Sequence, residues 1–175
     1  MNNTGLGLLH VYTGEGKGKT TAALGVVLRA WGHDLRVCVI QFMKKGEDYG
    51  EILGLRKMSV EVWQFGSGKL VIKGSHCQDD IDCARRALEF SREILSCGEY
   101  DVVIMDEINV TVYFGLLSCE DVLEVIRNRA EGVEVICTGR NAPDELRKEA
   151  DLVTVMTVEK HPYDEGLEAR KGIEF

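Results

Sequence analysis

Thr13-Gly14-Glu15-Gly16-Lys17-Gly18-Lys19-Thr20-Thr21 is a glycine-rich turn that ends in Gly-Lys-Thr. In such a turn glycines let successive backbone N–H groups point inward around phosphate oxygens, a lysine adds positive charge and a hydroxyl can ligate Mg²⁺. Gly18, Lys19 and Thr20 supply those last three parts. On one side, Leu8 to Tyr12 reads as a short buried strand. On the other, Thr20 to Trp31 carries apolar residues at Ala23, Leu24, Val27, Leu28 and Trp31, as a helix would. The turn is thereby placed at a helix N-terminus, where the dipole and unpaired N–H groups favour anions. One spacing is irregular: the pattern G-x-x-x-x-G-K-[ST] puts its first glycine where this chain has Thr13, and Gly14 comes one step late.

Outward from the loop, Arg36 to Phe42, Val60 to Phe65, Tyr100 to Met105, Val133 to Cys137 and Leu152 to Met156 read as further strands. Helical patterns lie between them, around Gly50 to Leu55 and at Asp79 to Ser96, Ser118 to Arg129 and Pro143 to Ala150. Ser118 with Asp121 forms a helix-start signal, and Pro143 suits a first helical turn. Apolar strands alternating with helices predict an α/β fold, a mainly parallel sheet with helices on both faces. Ligands then bind at the carboxyl ends of the strands, where Gly14, Gln41, Asp106 and Gly139 fall. Asp106-Glu107, ending a buried strand, has the properties of the second nucleotide motif, in which a carboxylate holds Mg²⁺ directly or through water. Which of the two touches the metal is open at this level.

At 175 residues the chain fits one domain, 1–175, able to bury a core without disulfides or structural metal. The formal charge of −8 argues against a nucleic-acid surface, which would need a basic face. No apolar run reaches membrane-spanning length, and the start, Met-Asn-Asn-Thr-Gly, has no signal-peptide pattern, so a cytoplasmic location without membrane contact is expected. The six cysteines contain no Cys-x-x-Cys pair, which is not the spacing of a metal site.

The motifs also occur in a recognisable order: Thr13-Gly14 through Lys17-Gly18-Lys19-Thr20-Thr21-Ala22-Ala23, Gln41-Phe42-Met43-Lys44, Met105-Asp106-Glu107-Ile108-Asn109, Thr138-Gly139-Arg140-Asn141-Ala142-Pro143, Ala150-Asp151-Leu152-Val153, and Lys160-His161-Pro162 with Gly172-Ile173-Glu174. Together they resemble the P-loop ATP:corrinoid adenosyltransferases over nearly the whole chain. The resemblance implies a P-loop NTPase-like, RecA-like fold and a reaction in which a Co(I) corrinoid attacks the 5′ carbon of ATP and releases triphosphate. ATP would lie in the reverse sense along the loop, which would give the displaced glycine a meaning.

Carried over by position, the resemblance puts Gly14, Glu15, Gly16, Lys17, Gly18, Lys19, Thr20, Thr21, Arg29 and Arg140 at ATP, with Lys19, Thr20 and Glu107 as the catalytic set. Thr20, Asp106 and Glu107 are the Mg²⁺ candidates, and Gln41, Gly68, Asn109, Lys160 and His161 the candidate corrinoid pocket. It further implies a homodimer and an electron donor such as a reduced flavoprotein.

Three positions depart from the family pattern. Glu15 replaces an asparagine, Val155 replaces an acidic residue, and Gly66-Ser67-Gly68-Lys69-Leu70-Val71 lacks the aromatics that press on the corrin. Either Trp63 and Phe65 stand in for those aromatics, or the substrate is a base-free corrinoid, or the activity has drifted. The competing readings are an ATP-hydrolysing domain that binds a macromolecule and a nucleotide-binding relative without corrinoid chemistry.

Overall fold

The structure, a computed structural model, describes residues 5–175. Among these residues six strands, β1 (Leu9–Thr13), β2 (Val37–Phe42), β3 (Glu61–Phe65), β4 (Val102–Asp106), β5 (Glu134–Thr138) and β6 (Leu152–Val155), form one sheet in the order β3-β2-β4-β5-β1-β6. Every pairing is parallel. The helices are α1 (Lys19–Trp31), α2 (Gly50–Lys57), α3 (Gln78–Ser96), α4 (Ile108–Tyr113), α5 (Cys119–Arg127) and α6 (Asp144–Glu149), and a 3₁₀ turn covers Pro162–Glu165.

The central strands β2, β4 and β5 are buried throughout and apolar except towards their ends, because both of their faces are covered. In β2, Val37 and Val39 face a cluster built with Ala23, Val27 and Ala30 of α1 and Leu55 of α2. Cys38, Ile40 and Phe42 face the opposite cluster, which holds Ala84, Leu88 and Leu95 of α3, Val122 and Ile126 of α5 and Leu146 of α6. β4 divides in the same way, with Val102 and Ile104 on one side and Val103 and Met105 on the other. Small side chains at Ala23 and Ala30 form the buried stripe of α1, while Leu28 and Trp31, expected on its apolar face, are about half exposed.

The edges differ from the sequence expectation of strands covered throughout. All four residues of β6 are exposed, as befits an edge strand whose one pairing among the described residues is with β1. Helix α4 is also absent from the sequence reading, since Ile-Asn-Val-Thr-Val-Tyr is β-branched and a poor helix former. Tertiary packing overrides that preference: Ile108, Asn109 and Thr111 are buried, and Glu107, in the left-handed region at φ 66°, turns the chain straight from strand into helix.

The placement of β1 decides where a ligand can bind. From β1 the chain crosses through α1 on one face of the sheet to β2, while from β5 it crosses through α6 on the other face to β6. The crossings diverge beside β1 and open a crevice at its carboxyl end.

Candidate functional site

Gly18 caps α1 at φ 117° and no side chain makes a capping hydrogen bond there, which leaves helix-start N–H groups for an anion. Behind the loop, the chain leaving β6 lies directly on it: Met156 N donates to Thr13 O at 2.8 Å, and Gly16 N donates to Met156 O at 2.8 Å. A Cβ on Gly14 would run into the Met156 carbonyl oxygen, and one on Gly16 would meet Thr157 O at 2.5 Å. The one-step displacement of the first glycine therefore has a packing cause in this chain. Position 14, at φ 98°, is where the loop passes against the β6 exit. Lys19 is buried, and its Nζ donates to Gly14 O at 2.7 Å and Gly16 O at 2.6 Å. Burial, reinforced by Arg140 nearby, lowers the pKa of its ammonium.

Asp106 is fully buried at the end of β4 and accepts four side-chain donors. Thr20 Oγ1 at 2.9 Å and Thr138 Oγ1 at 2.6 Å reach Oδ1, while Gln41 Nε2 at 3.1 Å and Lys44 Nζ at 2.8 Å reach Oδ2. Burial pushes its pKa up, but Lys44 and the hydroxyl donors outweigh that and hold it below the ordinary carboxylate value. Glu107, next in sequence, behaves oppositely. Burial first and the neighbouring Asp106 second raise its pKa, partly offset by Lys44, Lys19 and Arg140. Its backbone N–H donates to Thr138 Oγ1 at 3.1 Å.

Two cavities meet at the loop. One, of about 360 Å³, is lined by Lys17, Lys19, Thr20, Thr21, Lys44 and the chain's last residues, Gly172 to Phe175. The other, of about 400 Å³, has a charged wall that includes Lys19, Glu107 and Arg140, and an apolar wall of Met43, Val110 and Phe114. His161 reaches this second cavity, and Lys17, Lys19 and Glu174 border both. The carboxylate of Glu15 is met by Arg140, with Nε 3.4 Å from Oε2.

A cationic, anion-ready helix start beside a hydroxyl–carboxylate pair, opening onto a cavity with an apolar wall, suits a polyphosphate and a second, less polar group. The sequence model of the family described as ATP:corrinoid adenosyltransferase BtuR/CobO/CobP matches residues 5–175. The chain belongs to this family. It is 35% identical over 170 residues to a corrinoid adenosyltransferase of Pseudomonas aeruginosa, covering 97% of this chain and 84% of that protein. With a corrinoid adenosyltransferase of Escherichia coli K12 it shares 32% over 169 residues, covering 97% and 86%. The likeness thus extends well beyond the loop. Among solved structures, the flagellar accessory protein FlaH of Methanocaldococcus jannaschii is similar with a TM-score of 0.55 over 86% of this chain and 71% of that one. At 14% identity that likeness concerns the α/β fold alone.

In this ATP:corrinoid adenosyltransferase-family chain the expected residues fall into three groups. Glu15 to Thr21, Glu107, Arg140 and His161 line the two cavities, with Gly14 held by Lys19 and Asp106 by Thr20 behind them. Gln41 and Asn109, expected in a corrinoid pocket, are instead interior: Gln41 is 1% exposed and donates to Asp106, and Asn109 is fully buried with Nδ2 donating to Tyr12 O and Gly139 O. Their amide donors are committed inside the protein and tie strand ends together, while the buried Asn109 Oδ1 has no hydrogen-bond partner among the described residues. Gly16 also departs from the expected cradle, since its N–H is taken by Met156. In the third group, Gly68 and Lys160 are exposed outside both cavities, with Lys160 paired to Glu165 at 2.9 Å. Arg29 lies in the last turn of α1, about 15 Å of helix rise from Lys19.

Trp63 and Phe65 lie outside the lining of both cavities. Both rings stack on Phe90 of α3, with centroids 4.9 and 5.4 Å apart. The aromatic ring that does line the second cavity is Phe114. Sequence reasoning gave no role to Lys44, Thr138 or Phe114. The first two sat in view inside motifs at strand ends; Phe114 ends a helix that the sequence pattern hides.

Proposed function

We propose that this chain transfers the 5′-deoxyadenosyl group of ATP to a reduced Co(I) corrinoid and releases inorganic triphosphate. The observation that carries the reading is the Lys19–Thr20–Asp106 arrangement at the start of α1, within a chain that matches the adenosyltransferase family from residue 5 to residue 175. The Co(I) electron pair forms the cobalt–carbon bond, and the C5′–O bond breaks with its electrons passing to the triphosphate. No proton has to move at the reacting carbon, so no general base is required.

Charge therefore develops on the leaving group, and the residues at the loop meet it. Lys19 exchanges its two carbonyl partners for phosphate oxygens, and the first-turn N–H groups of α1 add their dipoles. Mg²⁺ fits the donor set: a threonine hydroxyl and one or two carboxylates beside a polyphosphate is how this ion is commonly held. Thr20 and Glu107 would bind it, with Asp106 orienting the Thr20 hydroxyl from behind. When bound, the ion neutralises triphosphate charge as a Lewis acid. Met43, Val110 and Phe114 supply an apolar wall on which the less polar reactant can rest with water excluded. The reading includes a homodimer in the cytoplasm, fed by an electron donor such as a reduced flavoprotein.

The test is to incubate the protein with MgATP and a chemically reduced corrinoid, follow the visible spectrum for the alkylated product, and assay triphosphate against ADP and orthophosphate. The expected result is an alkylated corrinoid with one triphosphate per turnover. ADP with no spectral change would replace this reading with a P-loop ATPase.

A further inference from the structure

The last residues of the chain bear on the phosphate loop in a way that adenosyl transfer alone does not require. Residues 170–175 fold into a closed turn: Gly172 N donates to Phe175 O at 2.7 Å and Glu174 N to Arg170 O at 2.9 Å. Arg170 returns the contact to the Glu174 side chain, with its backbone N–H 2.8 Å from Oε2 and Nη2 3.1 Å from Oε1. So gripped, the Glu174 side chain is only 22% exposed and borders both cavities. Lys17 Nζ stands 3.8 Å from Glu174 Oε1 and donates to Ile173 O at 3.4 Å. On its far side the turn reaches α2, where a Cβ on Gly50 would touch the Phe175 carbonyl group at 3.6 Å. The turn is thus part of the wall of the triphosphate cavity, which Thr20 and Thr21 also line.

A carboxylate in such a wall needs a reason. The other charged side chains lining that cavity are Lys17, Lys19, Lys44 and Glu51, so Glu174 places negative charge where a polyanion is to sit. Arg170 keeps the carboxylate ionised and aimed, and the loop lysine faces it. An entering polyphosphate competes with Glu174 for Lys17, because the ammonium cannot serve both at full strength.

We propose that Glu174 is a positioning residue for Lys17 and a counter-charge to triphosphate. It holds the Lys17 ammonium at the mouth of the site, yields it to the entering phosphates, and by like-charge repulsion hastens the departure of inorganic triphosphate. This inference rests on the triphosphate reading given above.

Calorimetric titration of the whole protein with inorganic triphosphate and Mg²⁺ tests it apart from corrinoid chemistry. Glu174→Gln is expected to tighten triphosphate binding by about three- to tenfold, and Lys17→Ala to weaken it by a similar factor. In the Lys17→Ala background, the Glu174→Gln gain shrinks, because half of its cause is gone. Glu174→Asp retains the charge and stays near wild-type affinity. In turnover, Glu174→Gln lowers KM for ATP and kcat together, as slower product release requires. A merely structural glutamate would give the reverse: weaker binding with a lower unfolding temperature. The inference is overturned if Glu174→Gln binds triphosphate no tighter than wild type, or if its effect is undiminished beside Lys17→Ala. Wild-type protein that fails to bind triphosphate would overturn both this inference and the reading beneath it, whereas wild-type binding with an inert Glu174→Gln overturns this inference alone.

Discussion

Behind the phosphate loop and in front of it, the protein handles charge in two ways. Behind, Asp106 is sealed at the end of β4 with a donor from each of Thr20, Thr138, Gln41 and Lys44. In front, Glu15 with Arg140 and Lys17 with Glu174 are pairs at longer range, each with at least one partner about half exposed. A buried carboxylate with unfilled lone pairs is costly, so the rear network admits one arrangement and fixes the Thr20 hydroxyl. Exposed pairs gain little from each other and can be traded for a ligand at small cost. The rear sets geometry, and the front exchanges partners.

Lys19 joins the two regions, and its loss is the largest expected effect. Lys19→Ala should cut kcat/KM by about 10³-fold, or ~4 kcal/mol of barrier, with little change in unfolding temperature. Retention of more than a tenth of wild-type turnover, read from the alkylated-corrinoid spectrum, would remove this lysine from the leaving-group site. Next comes Lys44→Met, which leaves Asp106 buried without its cation. Since Lys44 is itself about a quarter exposed, a loss of about 3 kcal/mol is expected, at the low end for a broken buried pair. Urea unfolding measures it, and a loss too small to detect would mean that the two hydroxyls and Gln41 suffice.

Gln41→Leu deprives Asp106 of one donor and Gln64 Nε2 of its acceptor at 2.9 Å. It should cost about 1–2 kcal/mol in the same unfolding assay. Were the change neutral, the rear network would be less tightly specified than the comparison holds. The smallest effect belongs to Glu15→Gln, which breaks the half-exposed pair with Arg140 and should shift stability by no more than about 0.5 kcal/mol. A larger loss would move this pair from the exchangeable side to the structural side.

Much of this division was not legible in the sequence. The central strands were, because a run such as Val-Cys-Val-Ile-Gln-Phe has to be covered on both faces, and their boundaries fell within a residue or two. Helix α4 was hidden, since its β-branched residues favour a strand locally and only burial between neighbours makes them helical. Gln41 and Asn109 looked like ligand-facing residues at strand and helix ends. A sequence does not say which amide donors at a strand end are committed inside the protein. Glu15 appeared to set a carboxylate against phosphate, and its answer, Arg140, lies just beyond the carboxyl end of β5.

By itself the sequence determined the parallel α/β sheet, the phosphate loop at the first helix and the Asp106-Glu107 pair, because periodicity and the needs of phosphate binding act over a few residues. Tertiary structure decided the rest: that Gly14 answers to Met156 on the β6 exit, that Asp106 is saturated, and that the turn at 170–175 forms a wall of the site. The physical reason is that these contacts join residues up to 157 positions apart, as from Lys17 to Glu174. Local chemistry names the groups that can meet, and only the packed sheet brings them within reach.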